Sequence, residues 1–155
     1  MYDSVKLLHL IAGIVWMGGM AFMLLALRPA AFAVLDAPNR NRLMGAVWKR
    51  FFTMVAISIA VLFFSGMHLY TSVFRATRLA TGNGGVPLGW NVMVVLGLLM
   101  MLLFGHIYGQ YRRYLRAHRA NDNALAQRAA AQIHLWMLVN FSLGWLAIIA
   151  VRLVR

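Results

Sequence analysis

Four of the five histidines fall inside long, uncharged, apolar stretches of the chain: His9, His68, His106 and His134. An ionisable side chain at membrane depth is costly and by default marks a functional position. Neutral imidazole is also a ligand for iron, copper and zinc through whichever ring nitrogen lacks a proton. The partners available to these rings are few. The chain has no cysteine, so thiolate sites, iron–sulfur clusters, disulfides and covalent haem attachment are excluded. Its three carboxylates, Asp3, Asp36 and Asp122, lie outside the apolar stretches, which argues against carboxylate metal sites and carboxylate proton relays. The fifth histidine, His118, stands among Arg116, Arg119 and Asn121 and reads as a solvated or headgroup residue. No hydrolytic constellation and no Gly-rich phosphate loop followed by Lys and Ser or Thr is present.

The elements that must position these rings follow from composition. Of the 155 residues, 63% are hydrophobic, and the mean hydropathy is +0.74. A soluble domain of this size cannot hide so much apolar surface. The charged residues cluster between apolar runs at about 7–27, 51–74, 90–111 and 133–151. Each run reaches the roughly 20 residues a bilayer-spanning helix needs. Backbone groups in lipid must bond within their own segment, so helices are expected, and the alternating strands of a barrel are absent. The prediction is a single all-α domain, an integral membrane four-helix bundle. The first run, Leu7–Leu27, is too long for a signal-peptide core and is followed by Arg28-Pro29 rather than a small-residue cleavage site.

A net charge of +12 would suggest nucleic acid in a soluble protein. Here the basic residues flank the spans, so orientation signals and membrane lipid headgroups account for them, and no nucleic-acid partner is expected. Arg28, Arg40, Arg42, Lys49 and Arg50 lie between the first two spans, and Arg112, Arg113, Arg116, Arg119 and Arg128 between the last two. Only Lys6, Arg75, Arg78, Arg152 and Arg155 fall on the other side. The richer side is predicted to be cytoplasmic, which puts both termini outside a bacterial-type inner membrane. Between the first two spans, Pro38-Asn39 either opens a helix running through Trp48 into the second span or begins an amphipathic surface segment. Arg112–Arg128 extends the third span and turns near Asn121-Asp122-Asn123, while Thr81–Pro87 reads as an irregular loop.

With alternating helix directions, the histidines form two levels. His9 and His68 lie near the outer face, and His106 and His134 near the inner face. His106 precedes Arg112 by six residues and His134 follows Arg128 by six, so each lies ~9 Å inside its arginine at 1.5 Å per residue. His68 lies ~10 Å inside Arg75, and His9 ~5 Å beyond Lys6, by the same rise. Each level draws its two imidazoles from different helices, as a six-coordinate b-type haem requires, and bundle cores build cofactor sites from facing helices. Gly13, Ser65, Gly66, Gly105 and Gly109 supply small neighbours, while Arg75 and Arg78 outside and Arg112 and Arg113 inside suit haem carboxylates. A lone histidine near a membrane interface is more often a packing or headgroup residue, a reading that weighs most on His134 and on His9.

The eleven methionines include Met17, Met20 and Met23 at three-residue spacing, Met67 beside His68, and the pair Met100 and Met101. Thioethers suit Cu(I), so a Met and His path for copper is an alternative, although Met also fills lipid-embedded cores. Ser58, Ser65 and Ser72 at seven-residue spacing, and Asn140, read as helix–helix packing or hydrogen-bonding residues.

Leu7-Leu8-His9-Leu10, Val15-Trp16-Met17-Gly18-Gly19-Met20 and the closing Arg28-Pro29 resemble the opening helix of CopD-like membrane proteins. Arg50-Phe51-Phe52, Ser65-Gly66, and Phe104-Gly105-His106 before Tyr111-Arg112-Arg113 are similar to later helices of that family. The likeness spans nearly the whole chain through short motifs, and it implies copper resistance or uptake. The opening His and Trp-x-Gly pattern also resembles the related HemJ family, four-helix proteins that bind haem b and oxidise protoporphyrinogen. That likeness implies His9 and His106 as the functional histidines, although Leu27-Arg28-Pro29 departs from the HemJ pattern. Since His9 and His106 fall at opposite faces, two haems are expected rather than one shared between them. The leading expectation is a diheme b-type protein moving electrons within or across the membrane, with quinone or another small redox partner. A copper-handling protein, a HemJ-like oxidase and a cofactor-free structural subunit are the alternatives.

Overall fold

The computed structural model describes residues 2–82 and 85–153. Four long helical segments, each apolar enough to cross a membrane, make up the molecule. The first is composite. Helix α1 (Tyr2–Phe22) passes through a π-helical turn at Met23–Leu27 into α2 (Arg28–Val34) without a break in direction of winding. Pro29 explains the turn. It has no N–H to offer the carbonyl four residues back, and its ring crowds that carbonyl. The wider turn relieves this, and the Arg28 N–H bonds the carbonyl of Met23, five residues earlier.

Helix α3 runs from Ala37 to Thr81. At 1.5 Å per residue its 45 residues extend about 68 Å, far beyond a hydrocarbon core of about 30 Å. Its first turns, from Pro38 through Trp48, therefore project past the membrane on the side of the Arg-rich connections, so the helical reading of Pro38-Asn39 holds. Asp36 stands at the extended N-cap, where its carboxylate accepts from the Asn39 side chain at 2.7 Å. Gly82 closes α3 in the left-handed region (φ 72°), with its N–H on the carbonyl of Arg78. Helices α4 (Leu88–Arg119) and α5 (Asn123–Leu153) are joined by a tight turn in which Asn121 takes φ 54°. The Asp122 carboxylate there accepts the Leu125 N–H at 2.9 Å and so caps α5.

The bundle is built from two hairpins. Backbones approach most closely between α1 and α3 and between α4 and α5, because small residues line those contacts. Gly13 faces Leu62, Gly19 faces Phe51 and Met54, and Gly66 faces His9. On α5, Ala126, Ala129, Gly144, Ala147 and Ala150 share the buried stripe. Between the hairpins the backbones stand apart and rings fill the seam. Trp16 meets Phe104 edge-on; Phe52 contacts Phe104, Tyr108 and Tyr111; and Trp48 meets Tyr111 and Tyr114. At the end that carries the Arg-rich connections, Phe32 of α2 lies against the Arg28 and Arg40 guanidiniums, 4.7 and 4.3 Å away, which ties α2 to α3. Large apolar side chains such as Leu25, Ile57, Phe64 and Leu102 are exposed around the girth, as expected where lipid is the solvent. The molecule is an all-α, integral membrane four-helix bundle.

Candidate functional site

The antiparallel packing of α1 on α3 brings His9 to the level of Ser65 and Gly66. The His9 Nδ1 lies 2.8 Å from the Ser65 hydroxyl oxygen. That hydroxyl has a single proton, and it donates it to the carbonyl of Val61 at 2.6 Å, with Leu62 more distant at 3.4 Å. Ser65 must therefore accept from His9, which makes His9 the Nδ1–H tautomer. Its Nε2 is left with a lone pair. This is how metal-binding imidazoles are held, one nitrogen donating to a fixed acceptor and the other free to coordinate. Gly66 supplies the room: a Cβ there would stand 3.2 Å from His9 Cε1.

His68 lies on α3 one turn beyond Ser65, at the same end of the bundle as His9, and is exposed. The pair thus shares a level, as expected, without touching. Ser65 and Gly66, small neighbours expected beside His68, serve His9 instead. Nearby, the Tyr70 hydroxyl donates to Asn91 at 2.9 Å and links α3 to α4. Arg75 and Arg78 follow on exposed turns of α3, and among the described residues no carboxylate pairs with them.

At the opposite end of the bundle, beside the Arg-rich connections, His106 is exposed on α4. Its ring packs edge-on against Trp136 of α5, with centroids 5.1 Å apart. The Gln110 amide donates to His106 Nε2 at 3.3 Å, so this ring is held by its own helix and its Nε2 is engaged. His134 lies two residues before Trp136, half-buried, within electrostatic reach of the Arg28 guanidinium. His106 and His134 share a level, as expected, and no contact joins them. His106, Gly109, Gln110, Arg112, Arg113 and Arg116 line an open groove of about 460 Å³ on α4. His118 is exposed and stacks on Tyr114. Among the described residues, no three His, Cys, Asp or Glu side chains converge.

The methionines divide. Met20, Met23, Met44, Met100 and Met137 are buried, whereas Met67 is exposed. Met17 and Met100 meet over Gly144, where a Cβ would overlap the Met17 thioether and stand 3.1 Å from the Met100 methyl. One turn earlier on α5, Asn140 is 1% exposed and its Oδ1 has no hydrogen-bond partner. Two residues that shape the histidines, Gln110 and Trp136, are not evident as partners in the sequence. The four-residue step from His106 to Gln110 is the one local signal, because such pairs are neighbours on a helix. Comparison of the chain with protein-family models, with curated proteins and with solved structures returns no match.

Proposed function

We propose that this protein is a b-type haem-binding electron carrier of the inner membrane, with its best-supported haem site at His9 and His68. The observation that carries the reading is the Ser65–His9 hydrogen bond, which fixes the ring and leaves Nε2 free to coordinate. Gly66 keeps space for that ring, and His68 on the next turn of α3 supplies a second imidazole. Arg75, with no carboxylate beside it among the described residues, suits a haem propionate. Bound iron porphyrin would supply one-electron chemistry. The protein's own contribution is to orient His9, to exclude water with the apolar walls of α1 and α3, and to hold propionates with the outer arginines.

The inner pair supports a second haem less strongly, since His106 is exposed with Nε2 engaged by Gln110. The donor and acceptor belong to the same proposal: a small redox partner such as quinone, reaching the bundle from the lipid phase. The basic-residue asymmetry supports both termini outside, and reporter fusions at Arg155 should be active only in the periplasm. Purified protein expressed with ample haem should give a positive pyridine haemochrome and a low-spin reduced spectrum.

One observation favours a second reading. Met17 and Met100 converge on Gly144, and their two thioethers are soft donors that suit Cu(I). A colourless preparation with stoichiometric copper, lost in Met17→Leu/Met100→Leu, would select it over haem.

A further inference from the structure

We propose that the α4 groove binds the headgroup of an anionic phospholipid of the inner leaflet. The face of α4 changes character along its length in the order that a phospholipid does. Val95, Leu99 and Leu102 are exposed and apolar, and they continue one turn at a time into His106, Gly109 and Gln110, then into Arg112, Arg113 and Arg116. Acyl chain, glycerol ester and phosphate follow one another in the same sequence. From His106 to Arg116 the rise is about 15 Å, enough to pass from ester depth to the headgroup.

Among the described residues the cations here have no internal partner. The side-chain carboxylates are Asp3, Asp36 and Asp122; Asp36 and Asp122 sit at the N-caps of α3 and α5, and among the described residues no ion pair engages the three groove arginines. Guanidinium forks match phosphate oxygens in shape and charge. Above them, Gln110 donates to His106 Nε2, which places the ring proton on Nδ1 as a further donor at ester depth. Cβ atoms added at Gly105 or Gly109 would meet nothing within 4 Å, so this face is open along the groove. The apolar upper stripe commits the site to a lipid rather than to free phosphate. The assignment is independent of the haem reading at His9 and His68, and it competes with a second haem at His106, giving Arg112 a phosphate in place of the inner haem propionate expected from the sequence.

The test is native mass spectrometry of the full-length protein released from bilayers of phosphatidylglycerol and phosphatidylcholine. Retained phosphatidylglycerol is expected, and it should fall about fivefold for each of Arg112, Arg113 and Arg116 changed to Gln, from the usual contribution of a basic residue at an anionic surface. Arg42→Gln/Arg50→Gln should retain it, and inorganic phosphate should not displace it. A second measurement needs no arginine variant: phosphatidylglycerol with brominated chains should quench a fluorescence component that is absent from Trp136→Phe, and brominated phosphatidylcholine should not. Equal retention of phosphatidylcholine, indifference to the three substitutions, displacement by inorganic phosphate, or equal quenching by both lipids would overturn the proposal. Haem content measured on the same samples reports separately on the outer site and should not follow the arginines.

Discussion

Replacing Ser65 by Ala removes the side-chain hydrogen bond that sets the His9 ring. The substitution removes the acceptor 2.8 Å from His9 Nδ1. The Val61 carbonyl, which also received the hydroxyl proton, remains within a regular helix. An intramolecular hydrogen bond contributes about 1 kcal/mol net, and Ala is favoured over Ser in a helix by about 0.5 kcal/mol. The expected loss of stability is therefore only about 0.5 kcal/mol, too little to unfold the bundle. The effect on ligation is larger, since removing the outer partner of a metal-binding imidazole typically lowers affinity about 10- to 100-fold. Haemin titration of reconstituted apoprotein should show that drop while the thermal midpoint hardly moves. In ¹⁵N-histidine spectra of the apoprotein, His9 should report a protonated Nδ1 and a bare Nε2, and Ser65→Ala should mix the two tautomers. Unchanged haem affinity in Ser65→Ala, or a protonated Nε2 in the unsubstituted protein, would refute the argument that Ser65 sets the ring.

Gly66→Ala places a methyl 3.2 Å from His9 Cε1; haem affinity should fall with little change in thermal midpoint, and a stable variant with full affinity would show that the ring does not need that space. Gly144→Ala overlaps the Met17 thioether, and overpacking of this kind costs about 1–3 kcal/mol; combining it with Met17→Ala should recover part of the lost midpoint. Asn140→Leu removes a buried amide whose Oδ1 is unpaired, a group that costs about 1–3 kcal/mol when left unsatisfied. The thermal midpoint should rise, and a fall would mean that Asn140 is satisfied by a bound species.

The helices and their approximate spans were legible because hydropathy and the demands of a bilayer leave few other options. The level of each histidine was legible too, since antiparallel helices of known rise fix depth: His9 meets Ser65 and Gly66, and His106 meets Trp136 at the other end. Azimuth was not legible. A half-turn of rotation separates a ring facing a neighbouring helix from one facing lipid, and both His68 and His106 face outward. Four apolar helices show lipid and protein similar side chains, so periodicity does not say which face is inside. The π-helical turn before Pro29 shifts the register of α2 against α1, another rotation that spacing rules for a regular helix do not anticipate.

The unequal holding of His9 and His68 has its own consequence. His9 is fixed by a side chain on another helix, whereas His68 is exposed and its ring nitrogens have no hydrogen-bond partner among the described residues. A site held in productive geometry before its ligand arrives binds without the cost of ordering that group. His9 should therefore set affinity, while His68 can turn on its χ angles to complete coordination once iron is present. His9→Ala should abolish haem retention through purification. His68→Ala should retain haem but give a five-coordinate, high-spin spectrum that free imidazole restores to low spin. The opposite assignment, with His9→Ala keeping a high-spin haem and His68→Ala losing it, would move the anchoring role to α3. Full low-spin spectra in both variants would place the haem elsewhere in the bundle.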